Sequence, residues 1–268
     1  MNGKNKSRLT RIGAGVALGL GLGVASLVPV SPAQPGEPAE ADTFVHIDGA
    51  RRISTGCVPG TGTDNSPRKE GWGLPAEGLV YYVDIASIPA YLNQSQVIDA
   101  VKQAAGAWTA AGSAPLTYGG TIRWAGTIGD GRSTVSFGIP RLPDVASAAT
   151  VKINKGVVAE ADIVLDITNA WSTNAGASGD CGGALGKWDV QNALAHEFGH
   201  VVGAKHPPVN GNKGPANNQR TMYPELSAGE LQKRSLSEGD IASIPSPKES
   251  HGKNPLSGIV DRGGDDDG

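Results

Sequence analysis

The chain has 268 residues, 38% of them hydrophobic and 18% charged, with a formal net charge of −3 at pH 7 and two cysteines. Lys4, Lys6, Arg8 and Arg11 are the only charged residues among the first 36, so without them the remainder carries −7. That balance excludes a basic nucleic-acid-binding surface, and about 200 residues between two atypical ends suffice for one hydrophobic core.

Residues 1–41 read as a targeting segment and linker. A basic start precedes the apolar run IGAGVALGLGLGVASLVPV, and Ser31-Pro32-Ala33 and Ala39-Glu40-Ala41 both suit signal peptidase. The run is nearly long enough to span a bilayer, which makes a membrane anchor the rival reading. Its glycines and the small-residue sites after it favour cleavage, export, and no stable membrane association afterwards. Residues 42–75 form a loop-rich segment. Leu79 to Asp84 (LVYYVD) has the apolar and aromatic content of a strand. Asn93, with Gln96 three places on, caps a helix along which Val97, Val101, Ala104, Ala105 and Trp108 recur at helical spacing, placing Trp108 in the core. Residues 121–124, Ser133 to Phe137, 147–153 and 160–166 read as further strands. The stretch PPVNGNKGPANNQRT, 207–221, is a surface loop by its glycine, asparagine and proline content. Residues 248–268 form a tail ending in GGDDDG, with no apolar residue in that ending to bury, and read as disordered.

The chemistry lies in HEFGHVVGAKH, His196 to His206. If residues 189–202 are helical, His196 and His200 stack on one face about 6 Å apart along the axis, while Val190, Leu194, Phe198 and Val201 fall opposite. Gly203 stands where a helix ends in a left-handed conformation that costs glycine least. The resulting turn brings His206 back toward the pair. Three neutral imidazoles with a fourth position left for water make an open, catalytic type of zinc site. Glu197 sits about 100° around the helix from His196, beside the ligands without being one, which suits a general base acting on that water.

The pattern H-E-x-x-H-x-x-G-x-x-H followed by Thr221-Met222-Tyr223-Pro224 resembles the metzincin signature with its Met-turn. Within the metzincins the chain looks most like small bacterial secreted matrixins. LVYYVD, SQVIDAVKQAAGAWTAAGSAPLTY and LSEGDIASI resemble their first strand, first helix and the opening of their last helix, and the likeness spans roughly residues 76 to 245. The resemblance implies an α+β catalytic domain over 76–247: a twisted mixed five-stranded sheet, two long helices, and a small C-terminal subdomain ending in a helix. It implies His196, His200 and His206 as ligands of one catalytic zinc, Glu197 as base, and Met222 as an apolar floor beneath the metal. Tyr223 is given no catalytic part. It also implies that 147–153 is the edge strand receiving an extended protein or peptide substrate antiparallel to itself, and that residues Met222 to Leu226 help to wall the pocket beside the zinc.

Two features depart from the matrixin pattern: Pro207 follows the third histidine where serine is usual, and the connection to Met222 is long. No histidine lies between 125 and 195, so no second, structural zinc is expected. Asp130, Asp162 and Asp166 are candidate calcium ligands, weighed against the fact that scattered acids are usually just solvated. In an exported chain the isolated pair Cys57 and Cys181 favours a disulfide. The alternative makes Cys57 a latency thiolate on the fourth zinc position, as in animal matrixin propeptides, although STGCVPGTG lacks the arginine and aspartate framing of that device. The expected function is a secreted, monomeric zinc endopeptidase. Rival readings are the same metal chemistry on a cell-wall peptide, and a secreted binding protein keeping zinc as a structural staple.

Overall fold

A computed structural model describes the backbone of residues 41–45 and 51–53, and residues 65–124, 126–141, 144–174, 182–208 and 220–248 in full. All of them fall in one compact unit, Ala39–Gly268. The expected targeting segment, both cysteines, most of the 207–221 loop and the acidic tail after Lys248 lie outside the described residues.

The strands are β1 (Ala41–Val45), β2 (Arg51–Ile53), β3 (Leu79–Asp84), β4 (Leu116–Ile122), β5 (Ser133–Gly138), β6 (Ser147–Asn154), β7 (Val157–Asp166), β8 (Trp171–Ser172), β9 (Trp188–Asp189) and β10 (Glu225–Ser227). The helices are α1 (Gln94–Ala110), α2 (Val190–Val202) and α3 (Glu238–Ile241). The main sheet runs β1-β6-β7-β5-β3-β4. Strands β4, β3, β5 and β7 are parallel to their neighbours, and β6 returns antiparallel to β7. This is the mixed α+β class expected, with five strands from Leu79 onward. The sixth, β1, comes from the segment read as loop and pairs antiparallel with β6. The edge expected to stand open to substrate is therefore occupied by the chain itself over Thr150 to Asn154, while Ser147 to Ala149 lie beyond β1.

β4 begins at Leu116, five residues earlier than the sequence suggests. Gly119 and Gly120 hid it, since paired glycines read as a turn. Gly119 is needed there because a Cβ would lie 2.7 Å from both Val80 Cγ1 and Tyr82 Cε1 on β3, where the pairing is bulged between Tyr81 and Val83.

α1 starts as predicted: the Asn93 side chain accepts from the Ser95 and Gln96 amides. Its buried stripe is Val97, Ala100, Val101, Ala104, Ala105 and Trp108. Three alanines let α1 approach α2 closely, and the Trp108 indole N–H donates to Ala195 O of α2 at 2.7 Å, so the core tryptophan also satisfies a helix carbonyl. On the sheet side Phe198 of α2 meets Tyr81 of β3 with ring centroids 5.2 Å apart.

α2 departs from the two-faced helix expected. Every residue from Val190 to Val202 is buried, because the C-terminal segment covers the face that carries the histidines. The C-terminal helix is also shorter than expected: α3 is one turn of four residues, with Ser237 and Asp240 forming a capping box. Pro245 and Pro247 follow closely and cannot donate to a continuing helix. Residues 65–75, set apart in the sequence as loop, pack onto the body: Glu70 N donates to Gly203 O, and the Trp72 indole donates to His200 O at 3.0 Å.

Candidate metal centre

Asp189 caps α2, its side chain accepting from the Asn192 amide at 2.8 Å. Arg234 grips the same carboxylate through Nε at 2.8 Å and Nη2 at 2.6 Å, a two-point contact that fixes both the cap and the 3-10 turn Gln232–Arg234. Asn192 Oδ1 accepts from the Lys233 amide at 2.7 Å. The helix is thus anchored at its start to the C-terminal segment. At its other end Gly203 adopts φ 99°, and its amide bonds back to His200 O. A Cβ there would lie 2.4 Å from Trp72 O, so the position demands glycine for space as well as for conformation.

This turn brings His206 to the other two rings. The Nε2 atoms of His196, His200 and His206 face one another, with separations of 3.0 Å (196 to 206), 3.2 Å (196 to 200) and 3.0 Å (200 to 206). His196 Nδ1 lies 2.7 Å from Thr221 O and His200 Nδ1 3.2 Å from Ala204 O. A carbonyl only accepts, so each Nδ1 carries the hydrogen and each Nε2 of that pair presents a lone pair. Lone pairs converging at this distance repel unless a cation sits among them. Tetrahedral zinc bonded to nitrogen at ~2.0–2.1 Å sets its ligand nitrogens about 3.3 Å apart, close to the spacing found. Three histidines therefore lie close enough to bind one metal ion. His196 and His200 are buried and His206 is half-buried, so the site opens to solvent on the His206 side.

Glu197 is buried and does not join the converging set. Its Oε1 accepts from Ser147 Oγ at 2.6 Å, and Ser147 is the first residue of β6. The carboxylate is thereby held between the metal helix and the start of the sheet edge. Sequence reasoning missed Ser147, because a contact across fifty residues leaves no local signal.

Met222 is fully buried. A Cβ on Gly199 would lie 2.1 Å from Met222 Sδ and 2.6 Å from Trp108 Cζ2, so the absent side chain of Gly199 is what admits the methionine against α2. The reading of the motif gave this glycine no part. The Met-turn is held by Asp240, which accepts from the Thr221 amide at 2.8 Å and the Met222 amide at 3.2 Å. Asp240 in turn pairs with Arg220 at 3.4 Å, both side chains fully buried. Arg220 also donates to Gly239 O at 2.6 Å and Ser243 Oγ at 3.0 Å. The hydroxyl of Tyr223 donates to Glu225, and burial together with that carboxylate raises its pKa.

The three aspartates weighed for calcium are not brought together. Asp130 binds the Thr127 and Arg132 amides, Asp166 binds Thr168, and Asp162 accepts from the amide and hydroxyl of Thr134. Burial pushes the Asp162 carboxyl up to about 6, with Glu160 adding to the effect. Among the described residues the histidine trio alone gathers three potential ligands. No helix there is long and apolar enough to cross a membrane. No protein-family model matches the chain, and no curated protein matches it.

Proposed function

We propose that this protein is a secreted zinc-dependent endopeptidase with a metzincin-type, matrixin-like catalytic domain. The observation that carries the reading is the convergence of three Nε2 atoms beside Glu197, a buried carboxylate positioned by Ser147. His196, His200 and His206 fit zinc by donor type, spacing and tautomer. Zinc held there supplies Lewis-acid polarisation of a water molecule and of a peptide carbonyl.

The chain's own residues do the rest. Glu197 accepts the proton of the water that attacks the carbonyl carbon and returns it to the leaving amine nitrogen as the C–N bond breaks. Ser147 keeps that carboxylate aimed from the sheet edge. The carbonyls of Thr221 and Ala204 hold the His196 and His200 rings in the tautomer that points Nε2 inward. Met222 closes the floor with a soft apolar contact. An extended peptide adds to the Ser147–Ala149 end of β6, beyond the stretch that β1 covers, and acts as the substrate of a monomeric enzyme.

The test is cleavage of casein and of quenched peptides by the zinc-loaded protein, with and without chelator. Glu197→Gln keeps the shape but not the basicity, and is expected to lower kcat about 10²–10⁴-fold while zinc stays bound. Equal rates for Glu197→Gln and parent, or no cleavage by the zinc-loaded parent, would overturn the proposal. Zinc binding without hydrolysis would instead favour a secreted binder.

A further inference from the structure

Ser147 turns its hydroxyl to Glu197, so the next side chain along β6, Ala148, points to the other face of the sheet, away from α2. That face carries a cavity of about 120 Å³. One water needs about 10–15 Å³ of such space, so there is room for a side chain. Ile128, Ile139, Pro140 and Val164 give the cavity its apolar lining, and Ala148, Thr150 and Asp162 complete it from β6 and β7. Ile139 is exposed and Val164 half-buried, which marks the mouth.

Asp162 brings the chemistry. It is 6% exposed, its Oδ1 accepts from the amide and hydroxyl of Thr134, and its Oδ2 has no hydrogen-bond partner among the described residues. Glu160 and Asp130 act on it as like charges. A buried acceptor without a donor, in a negative field, suits a cation. A bare calcium ion takes about six to eight oxygens, and the neighbouring aspartates are engaged with their own loops. An ammonium or guanidinium needs one acceptor and an apolar channel for its carbons. Arg141 also lines the cavity but is exposed and leaves Oδ2 unpartnered.

Register decides what can reach it. Ala148 pairs with Val164, and Thr150 with Asp162. In a peptide strand added at Ser147 to Ala149, the residue opposite Ala148 carries its side chain on the cavity face. Asp162 is then two strands across and two residues along, about 12 Å away between Cα atoms at a strand spacing of about 4.8 Å and a rise of about 3.4 Å. Only a long side chain crosses that gap, and the methyl group of Ala148 leaves the way clear. We propose that the cavity is a subsite for a lysine or arginine of the substrate, which enters opposite Ala148 and pairs with Asp162. The proposal rests on the reading of the chain as a peptidase with β6 as its substrate edge. It adds a substrate class: extended peptides with a basic residue close to the scissile bond.

The test is a set of quenched peptides, alike except that each position in turn carries lysine or norleucine, cleaved by the zinc-loaded full chain. Norleucine keeps the apolar stem and removes the charge. At one position lysine should be preferred about tenfold in kcat/KM, the effect of an ion pair partly shielded from water, and the preference should shrink to about twofold or less in Asp162→Asn. Ala148→Leu keeps the carboxyl, obstructs the approach and should lower the preference as well. Arg141→Ala removes a like charge from the lining and should raise it. Binding of the same peptides to zinc-loaded Glu197→Ala reads the preference without turnover. A lysine preference at no position, or one that persists in both Asp162→Asn and Ala148→Leu with parental circular dichroism, would overturn the subsite. Lysine-dependent binding to Glu197→Ala that is lost on adding Asp162→Asn, with no peptide cleaved by the chain with Glu197 intact, would sustain the subsite and sink the protease reading.

Discussion

Gly199→Ala isolates one packing decision at the metal centre. In an exposed helix the exchange stabilises by about 1 kcal/mol, since alanine restricts the unfolded chain and favours the helix. Here the new Cβ would lie 2.1 Å from Met222 Sδ, 2.6 Å from Trp108 Cζ2 and 3.2 Å from Met222 Cε. Ordinary contact between such atoms is about 3.5–4.0 Å, so the sulfur must retreat by well over 1 Å. Met222 and Trp108 are both fully buried, and the indole is tethered to Ala195 O, so little space exists to absorb the shift. Overpacking of this kind costs up to about 3 kcal/mol. Set against the propensity gain, the net loss is about 2 kcal/mol, or roughly 4–8 °C in Tm for a domain of this size. Thermal unfolding followed by circular dichroism measures it. Zinc affinity should fall as well, because moving Met222 drags Thr221, whose carbonyl orients His196. A Tm equal to or above that of the parent would refute the account of how the methionine is seated.

Other perturbations follow from buried groups away from the ligands. Asp240→Asn leaves Arg220 buried without its carboxylate and weakens the hold on the Thr221 and Met222 amides; a loss of about 3–5 kcal/mol is expected in urea unfolding, and a loss below 1 kcal/mol would show the Met-turn to be held otherwise. Asp162, pushed up to about 6 by burial, keeps its proton in the folded state over a range where the unfolded chain has released it. The folded protein then binds more protons between roughly pH 4 and pH 6, so this group's contribution to stability is present at the acid end and declines as pH rises through that window. Asp162→Asn should flatten the stability profile there, and an identical slope in both proteins would contradict the assignment.

Local signals carried the elements that local physics determines. The Asn93 cap, the Val97 to Trp108 stripe, LVYYVD as a strand, and the turn at Gly203 were all readable, because each depends on residues within a few positions of one another. The histidine trio was readable for the same reason, being eleven consecutive residues. What escaped depends on distant partners. Ser147 meets Glu197, Arg234 meets Asp189, and Asp240 meets Arg220 and the Met-turn, pairs whose members are individually ordinary polar residues. The burial of α2 on every side follows from the segment that folds over it, not from its own periodicity. β1 and β2 are five and three residues long in a segment read as loop, and they are strands through their pairing with the edges of β6 and β10. Gly199 was hidden because a missing side chain announces nothing until the sulfur that fills its place is seen.

The central claim is that one zinc ion on His196, His200 and His206 makes this chain a peptide hydrolase. Protein stripped of metal and titrated with zinc, while cleavage of a quenched peptide is followed, tests it most directly. The account predicts no cleavage without metal, a linear rise that levels at one equivalent, and no rise at all in His206→Ala. Full activity in the stripped protein, or inactivity at one bound equivalent, would contradict it.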